Sequence, residues 1–227
     1  MINTYNETDL HRALKNHFCP KGGKTEQPLM GSICDILCDD GSVIEIQTSN
    51  LAALRTKLEK LLPAVTVEII YPISVESIIT VLNKDGTENR RRKSPKKGIF
   101  FQIFKELAGI CHLFKTGNLK LKIVYITSEI IKSDNPEYLK IKRKRRHNRP
   151  GIINKKLAKI ICTEEFDNLN SLCEQVLKTL PDEFTNKDIL KIGAGKYASY
   201  TTWFLKKHKF IAPVGKKEKF TLYKKTL

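Results

Sequence analysis

Apolar and polar positions change period repeatedly along the chain, and each change marks an element. In "NETDLHRALKNHF", Leu10, Leu14 and Phe18 recur at helical spacing, with Asn6 placed to cap. Glu7, three residues before Leu10, shares that inward stripe. "CPKGGKTEQPLMG" breaks the pattern and reads as a loop. "SICDILCDDGSVIEIQT", residues 32–48, is two short apolar runs around Asp39-Asp40-Gly41, the pattern of a β-hairpin. "NLAALRTKLEKLLP" then aligns Leu51, Leu54, Leu58 and Leu61 on one helical face and stops at Pro63. "AVTVEIIYP" is a β-branched strand, and "SIITVLNKDGTENRRRKSPKKG" reads as another strand, an Asp-Gly turn and a basic loop. "IFFQIFKELAGICHLF" predicts a helix and "LKLKIVYIT" a further strand. This order predicts an α/β core.

From Lys140, "KIKRKRRHNRPG" has almost no apolar content and reads as a boundary. Residues 1–139 are therefore expected as one domain, 140–160 as a basic linker and 161–227 as a second domain. In the second, "FDNLNSLCEQVLKTLP" keeps Leu169, Leu172, Val176 and Leu180 in helical register, and "TNKDILKIG" is a short helix capped by Thr185 and ended by Gly193. "KYASYTTWFLKKHKF" is a third helix, and "FIAPVGKKEKFTLYKK" a hairpin with a lysine-rich loop. Three helices and a basic hairpin follow the order of a winged helix-turn-helix. With Ala198, Trp203 and Leu205 on the packed side, Lys196, Tyr197, Ser199, Tyr200, Thr201 and Lys207 are left to face a DNA groove. Lys216, Lys217 and Lys219 of the wing are left for phosphates. Protein binding is the other use of such a domain.

Charge sharpens this picture. Lys and Arg number 41 against 24 Asp and Glu, a net charge of +17, which suggests a polyanionic partner, with nucleic acid as the default. Two basic runs carry much of it: Arg90, Arg91, Arg92, Lys93, Lys96 and Lys97, and then Arg143, Lys144, Arg145 and Arg146. They could line a DNA channel or be solvated loops. The six cysteines are scattered without a CxxC, which argues against a zinc module and suits a reducing cytoplasm. The histidines show no ligand spacing. No apolar run approaches membrane-spanning length, and no secretory signal is visible, so a cytoplasmic protein without a membrane partner is expected.

The chemistry sits in the hairpin. A two-residue Asp40-Gly41 turn would set acids beside aliphatics on both faces. A three-residue loop, with Gly41 in the left-handed conformation, shifts the pairing by one: Cys34 faces Ile46, Ile36 faces Ile44 and Leu37 faces Val43. Patterning prefers this register, and it sets Asp35 opposite Glu45. Two carboxylates with Cβ atoms about 4.5–5.5 Å apart repel unless one is protonated or a cation lies between them. A hard divalent ion answers that need, because Mg²⁺ uses one or two carboxylates and completes its shell with waters and phosphate oxygens. Asp35 and Glu45 are thus candidate ligands for Mg²⁺ or Mn²⁺, with the Ile46 backbone carbonyl as a third. Gln47 could orient a water, and Glu7 could reach the ion through one.

These residues and their element order resemble the restriction-endonuclease-like, or PD-(D/E)XK, nuclease superfamily, over about residues 5–72. The resemblance implies a mixed central sheet flanked by helices, Asp35 and Glu45 as metal ligands, Gln47 in the usual lysine position and Glu7 as an auxiliary acid. It also implies cleavage of DNA, double-stranded by expectation, with a homodimer left open. Arg55 and Lys57, on the helix after the hairpin, are candidates for the missing cation. Glutamine at position 47 keeps open a catalytically inactive DNA-binding protein on a nuclease-like scaffold, and nothing in the sequence excludes an RNA-directed nuclease.

Overall fold

The computed structural model describes residues 7–133, 135 and 150–226. Helix α1 (Asp9–Phe18) is followed by strands β1 (Lys24–Leu29), β2 (Ser32–Leu37) and β3 (Val43–Ile46). A 3₁₀ turn at Leu51–Leu54 leads into α2 (Arg55–Leu61). Then come β4 (Val67–Leu82), β5 (Glu88–Lys93), α3 (Gln102–Leu107), β6 (Leu119–Ser133) and β7 (Gly151–Phe166). These strands form one mixed sheet in the order β1-β2-β3-β4-β6-β7, with β5 also paired to β4. β3, β4 and β6 run parallel, and the other pairings are antiparallel. The protein is therefore α/β with a mixed central sheet, as the pattern of elements predicts.

Helices cover both faces of the central strands, which explains their nearly unbroken apolar sequence. On one face Leu10 and Leu14 of α1 pack with Ile46, Ile70, Val124 and Ile126. On the other, Leu51, Leu54, Leu58 and Leu61 pack with Ile69, Tyr71, Leu121, Ile123 and Phe104. Neighbours in β4 and β6 thus serve opposite layers, as the two-residue period of a strand requires.

Two stretches differ from the sequence expectation. The expected strand at 77–82 is continuous with the one before it, and Pro72 does not break β4. The reason is local: Ile70 accepts the Gln47 N–H at 3.0 Å where β3 ends, so two residues later the missing proline N–H faces an edge with no strand to bond. β5 takes that edge only from Ile78 onward. Likewise "KTEQPL", expected within a loop, is β1 and pairs with β2 across Met30-Gly31, both at positive φ.

The expected linker is the larger difference. Residues 151–160 are the first part of β7, which pairs along β6 from Ser133↔Gly151 to Leu121↔Phe166. Its lysines resemble the charges that keep an edge strand from pairing further, and its outer side faces solvent. Arg143, Lys144, Arg145 and Arg146 lie outside the described residues.

The C-terminal unit comprises α4 (Leu169–Leu177), β8 (Glu183–Phe184), α5 (Asn186–Ile189), α6 (Ala198–Lys207), β9 (Ile211–Lys217) and β10 (Phe220–Lys225). Thr185 and Asp188 form a reciprocal capping box at α5, and Gly193, at φ 93°, turns the chain towards α6. The strands make a separate sheet, β8-β10-β9. This unit shares the main core: Phe204 of α6 meets Phe104 of α3 edge-on at 5.2 Å between ring centres, and both are fully buried. No described helix is long and apolar enough to cross a membrane. Truncating Phe204 to alanine should cost about 3–5 kcal/mol. Because the core is continuous, denaturation followed at the sheet and at the C-terminal unit should shift together, in one transition.

Candidate functional site

The hairpin has the expected register, and it then opens. Ile36 pairs with Ile44 and Leu37 with Val43, around a three-residue loop in which Gly41 has φ 82°. Pairing stops at Ile36 and Ile44, so Cys34 does not face Ile46; the two residues join different core clusters. Side chains replace the missing ladder. The Ile46 N–H donates to Asp35 Oδ2 at 2.8 Å, and the Asp35 N–H donates to Glu45 Oε1 at 3.3 Å. The two carboxylates thus enter the gap between the diverging strands and satisfy the backbone groups it exposes.

Cations answer the crowded charge. Lys57, on the first turn of α2, reaches Glu45 Oε2 at 2.5 Å, and Glu45 is only 1% exposed. His11 of α1 lies between two acids, with Nε2 3.3 Å from Asp35 Oδ2 and Nδ1 2.6 Å from Glu7 Oε1. Lys15, almost wholly buried, contacts Glu7 Oε1 at 2.7 Å and also Glu26. The chain of contacts therefore runs Glu26–Lys15–Glu7–His11–Asp35, with Glu45–Lys57 beside it.

The titration behaviour follows from these contacts. Burial, and then the Asp35 charge, push Glu45 up to about 7, against the pull of Lys57. Asp35 is held below its ordinary value: burial opposes this, but the His11 hydrogen bond and charge, with the Ile46 N–H, outweigh it. His11 is shifted upwards, its desolvation overcome by Asp35 and Glu7, so it favours the imidazolium form. Glu7 is lowered by Lys15 and His11 in spite of burial.

Asp35 and Glu45 are the residues that could hold a hard divalent cation. Asp35 Oδ1 has no hydrogen-bond partner among the described residues, and an ion beside Glu45 would relieve the repulsion that raises its pKa. No group of three or more His, Cys, Asp or Glu side chains suited to a metal occurs among the described residues, so the protein offers two carboxylates rather than a closed cage.

The other predicted residues fall out differently. Gln47 does not reach the acids: its amide donates to the Ser49 and Asn50 carbonyls and ties down the turn before α2. Glu7 reaches Asp35 only through His11. Arg55 pairs with Glu59 at 2.9 Å, which leaves Lys57 as the nearby cation. The sequence expectation did not include His11 or Lys15. Their signal was the four-residue interval from Glu7 to His11 to Lys15, which stacks all three on one helical face.

Of the basic groups, Arg90, Arg91, Arg92 and Lys93 form the fully exposed strand β5, followed by Lys96 and Lys97. They share an edge of β4 with the acids, but Ile69, beside Glu45, and Ile78, beside Lys93, are about 30 Å apart along that strand. Lys93 and Lys97, with Ser77 and Ser128, line a cavity of about 270 Å³ at that end of the sheet. In α6 and the turn before it, Lys196, Ser199, Tyr200 and Lys207 are exposed as expected, Tyr197 is half-buried, and Lys216, Lys217 and Lys219 are exposed on the hairpin. Thr201 is a correction: it is fully buried, its hydroxyl donating to the Tyr197 carbonyl at 3.0 Å. Trp203 is the converse, expected inside and 41% exposed. Helical geometry explains both. Thr201 and Thr202 lie within about 60° of the buried Ala198, on either side of it, whereas Trp203 is turned about 140° from Ala198.

Residues 8–167, from the start of α1 to the end of β7, match the family model described as "Domain of unknown function (DUF8091)". The chain belongs to that family. The family match therefore includes both hairpin acids, His11, Lys15, Lys57 and all of β7. An "Uncharacterized protein" of Treponema pallidum (strain Nichols) is 42% identical over 224 residues, 99% of this chain and 87% of the relative, a span that takes in the C-terminal unit as well. No solved structure matches the chain.

The sign of the Glu45 shift sets a pH test. An acid raised from 4.5 to about 7 favours the folded state while protonated, and that contribution is lost as pH rises between those values. Wild type should therefore lose stability relative to Glu45→Gln from about pH 5 to about pH 7.5, by on the order of a few kcal/mol. Urea denaturation across that range, without divalent ions, reads the difference; a flat difference curve would mean that Glu45 is already ionised at the acid end.

Proposed function

We propose that this protein is a DNA endonuclease dependent on Mg²⁺ or Mn²⁺, built on a restriction-endonuclease-like PD-(D/E)XK core and targeted by a C-terminal winged helix. The observation that carries the reading is the opening of the hairpin at Asp35 and Glu45, which concentrates two carboxylates beside one lysine. Asp35, Glu45 and the Ile46 backbone carbonyl would hold the ion. When bound, it would supply Lewis-acid stabilisation of the phosphate and a more acidic water.

The protein's own groups have distinct tasks in this reading. Lys57 supplies the cation that position 47 lacks: its ammonium sits at the edge of the carboxylate pair, where it can donate to a phosphate oxygen as charge develops. His11 holds Asp35 ionised and oriented through Nε2, while Glu7 holds the other ring nitrogen. Gln47 keeps α2, and with it Lys57, in place. The net charge of +17 and the lysines and arginines of β5 support a polyanionic substrate. The order α4, α5, α6 and hairpin, with lysines on the hairpin, supports the winged-helix reading.

One observation favours a second reading. Because the Gln47 amide is occupied by Ser49 and Asn50, the usual lysine position contributes nothing to the acids, as in a nuclease-like scaffold that binds DNA without cutting it.

Cleavage assays separate the two. Supercoiled, linear and branched DNA with Mg²⁺ or Mn²⁺ should be nicked by the wild type and left intact by Asp35→Ala and Glu45→Ala, with DNA affinity in EDTA unchanged. Lys57→Ala should slow nicking about 10²–10³-fold, as loss of one charge-stabilising donor does. Gln47→Ala should act mainly on stability. Nicking that survives both acid substitutions would remove the site assignment, and tight binding with no cleavage on any substrate would establish the scaffold. Faster cleavage of RNA in parallel reactions would reassign the substrate.

A further inference from the structure

Helix α6 and the turn before it present one exposed stripe, which joins Lys196, Tyr200 and Lys207, expected to be exposed, with Trp203, expected to be packed. Tyr200, Trp203 and Lys207 recur at intervals of three and four residues, so they lie along one side of α6, and Lys196 precedes them in the 3₁₀ turn Gly195–Tyr197. All four are exposed, with Tyr200 at 43% and Trp203 at 41%. The opposite side, Ala198, Thr201, Thr202 and Leu205, is buried against the core. The aromatics are therefore surplus to packing. The Lys207 ammonium stands over the Trp203 ring, 4.6 Å from its centre, and Lys196 stands over Tyr197 at 5.2 Å.

Two large rings bracketed by lysines are poorly suited to reading base edges in an intact major groove, which calls for short or fork-shaped polar side chains. They are well suited to a strand whose bases are unstacked: flat apolar faces for the bases, ammonium groups for the phosphates on either side. Along the axis of α6, Tyr200 and Trp203 are about 4.5 Å apart, and Tyr200 and Lys207 about 10.5 Å. Lys216, Lys217 and Lys219 on the adjacent hairpin add charge of the same sign.

We propose that the Lys196–Tyr200–Trp203–Lys207 stripe is a stacking platform for unpaired bases, which directs the protein to DNA that contains a single-stranded segment: a gap, a flap or a fork. The proposal rests on the reading of the chain as a DNA-binding nuclease and names the substrate class of that nuclease. An aromatic stripe of this kind could also cover a protein partner; the strong positive charge around it favours a polyanion with flat apolar groups instead.

Trp203 is the single tryptophan of the chain, so its fluorescence reports on this surface alone. The full-length protein, in EDTA so that no cleavage occurs, is titrated with a single-stranded oligonucleotide, the same sequence as a blunt duplex, a gapped duplex and single-stranded RNA. The expected result is quenching by the single-stranded and gapped DNA, and binding of both about tenfold or more tighter than of the blunt duplex. Trp203→Ala and Tyr200→Ala, read by anisotropy of labelled DNA, should each weaken single-strand binding by roughly 5–150-fold, the range for losing one stacked base. Trp203→Phe should retain most of it, and Trp203→Ala should leave blunt-duplex affinity unchanged. Circular dichroism melting confirms that these exposed positions leave the fold intact.

Equal affinity for single-stranded and duplex DNA, or binding without quenching, would overturn the platform. So would a Trp203 signal that responds only to protein concentration, which would mark a surface for self-association. Tighter binding of RNA than of single-stranded DNA would overturn the assignment to DNA. The read-outs use no metal and no catalysis, so failure of Asp35→Ala or Glu45→Ala to stop nicking leaves this result standing, and the converse also holds.

Discussion

The repulsion between Asp35 and Glu45 is the constraint around which the surrounding structure is arranged. Two carboxylates in one strand pair would normally break it, and here they do end the ladder after two residue pairs. The pair survives because each acid takes over a backbone hydrogen bond that the ladder has lost, and because a cation arrives from each neighbouring helix: His11 from α1 and Lys57 from α2. Glu45 remains strained electrostatically, with a pKa pushed up to about 7. That residual strain is what a bound divalent ion would relieve, and it is why the proposed chemistry belongs at this point of the sheet.

The rest of the fold keeps those cations in place. α1 can present His11 because Leu10 and Leu14 anchor it on Ile46, Ile70, Val124 and Ile126, and because Asp9 at its start exchanges two hydrogen bonds with Asn154 of β7. α2 can present Lys57 because Leu58 and Leu61 seat it on the opposite face, and Gln47 pins the turn before it. The site is thus held from both sides of the sheet. The C-terminal unit joins the same core through Phe104 and Phe204, so the α6 surface is mounted on the body that carries the acids.

Legibility in the sequence followed the range of the interaction. The hairpin register was readable because one face had to be apolar and Gly41 had to turn the chain, both local requirements. The helical stripes, the Thr185 cap, β6 and the two halves of β4 were readable for the same reason, but not that β4 runs unbroken through Pro72. β7 was not, because an edge strand carries lysines that look like a linker until its partner β6 is in view. His11 was not legible because its role depends on an acid 24 residues away in sequence, Asp35. Trp203 and Thr201 were exchanged because size and apolarity were weighed ahead of helical phase.

By itself the sequence determined the α/β class, the hairpin with its opposed acids, the basic character and the order of the C-terminal elements, since each follows from period, turn chemistry or composition. Tertiary structure alone decided which cations meet those acids, that Gln47 faces away from them, and that β7 completes the sheet that holds α1. It alone decided, too, that Trp203 of α6 is left in solvent. Those outcomes depend on contacts between residues distant in the chain, and only the closed core sets their distances.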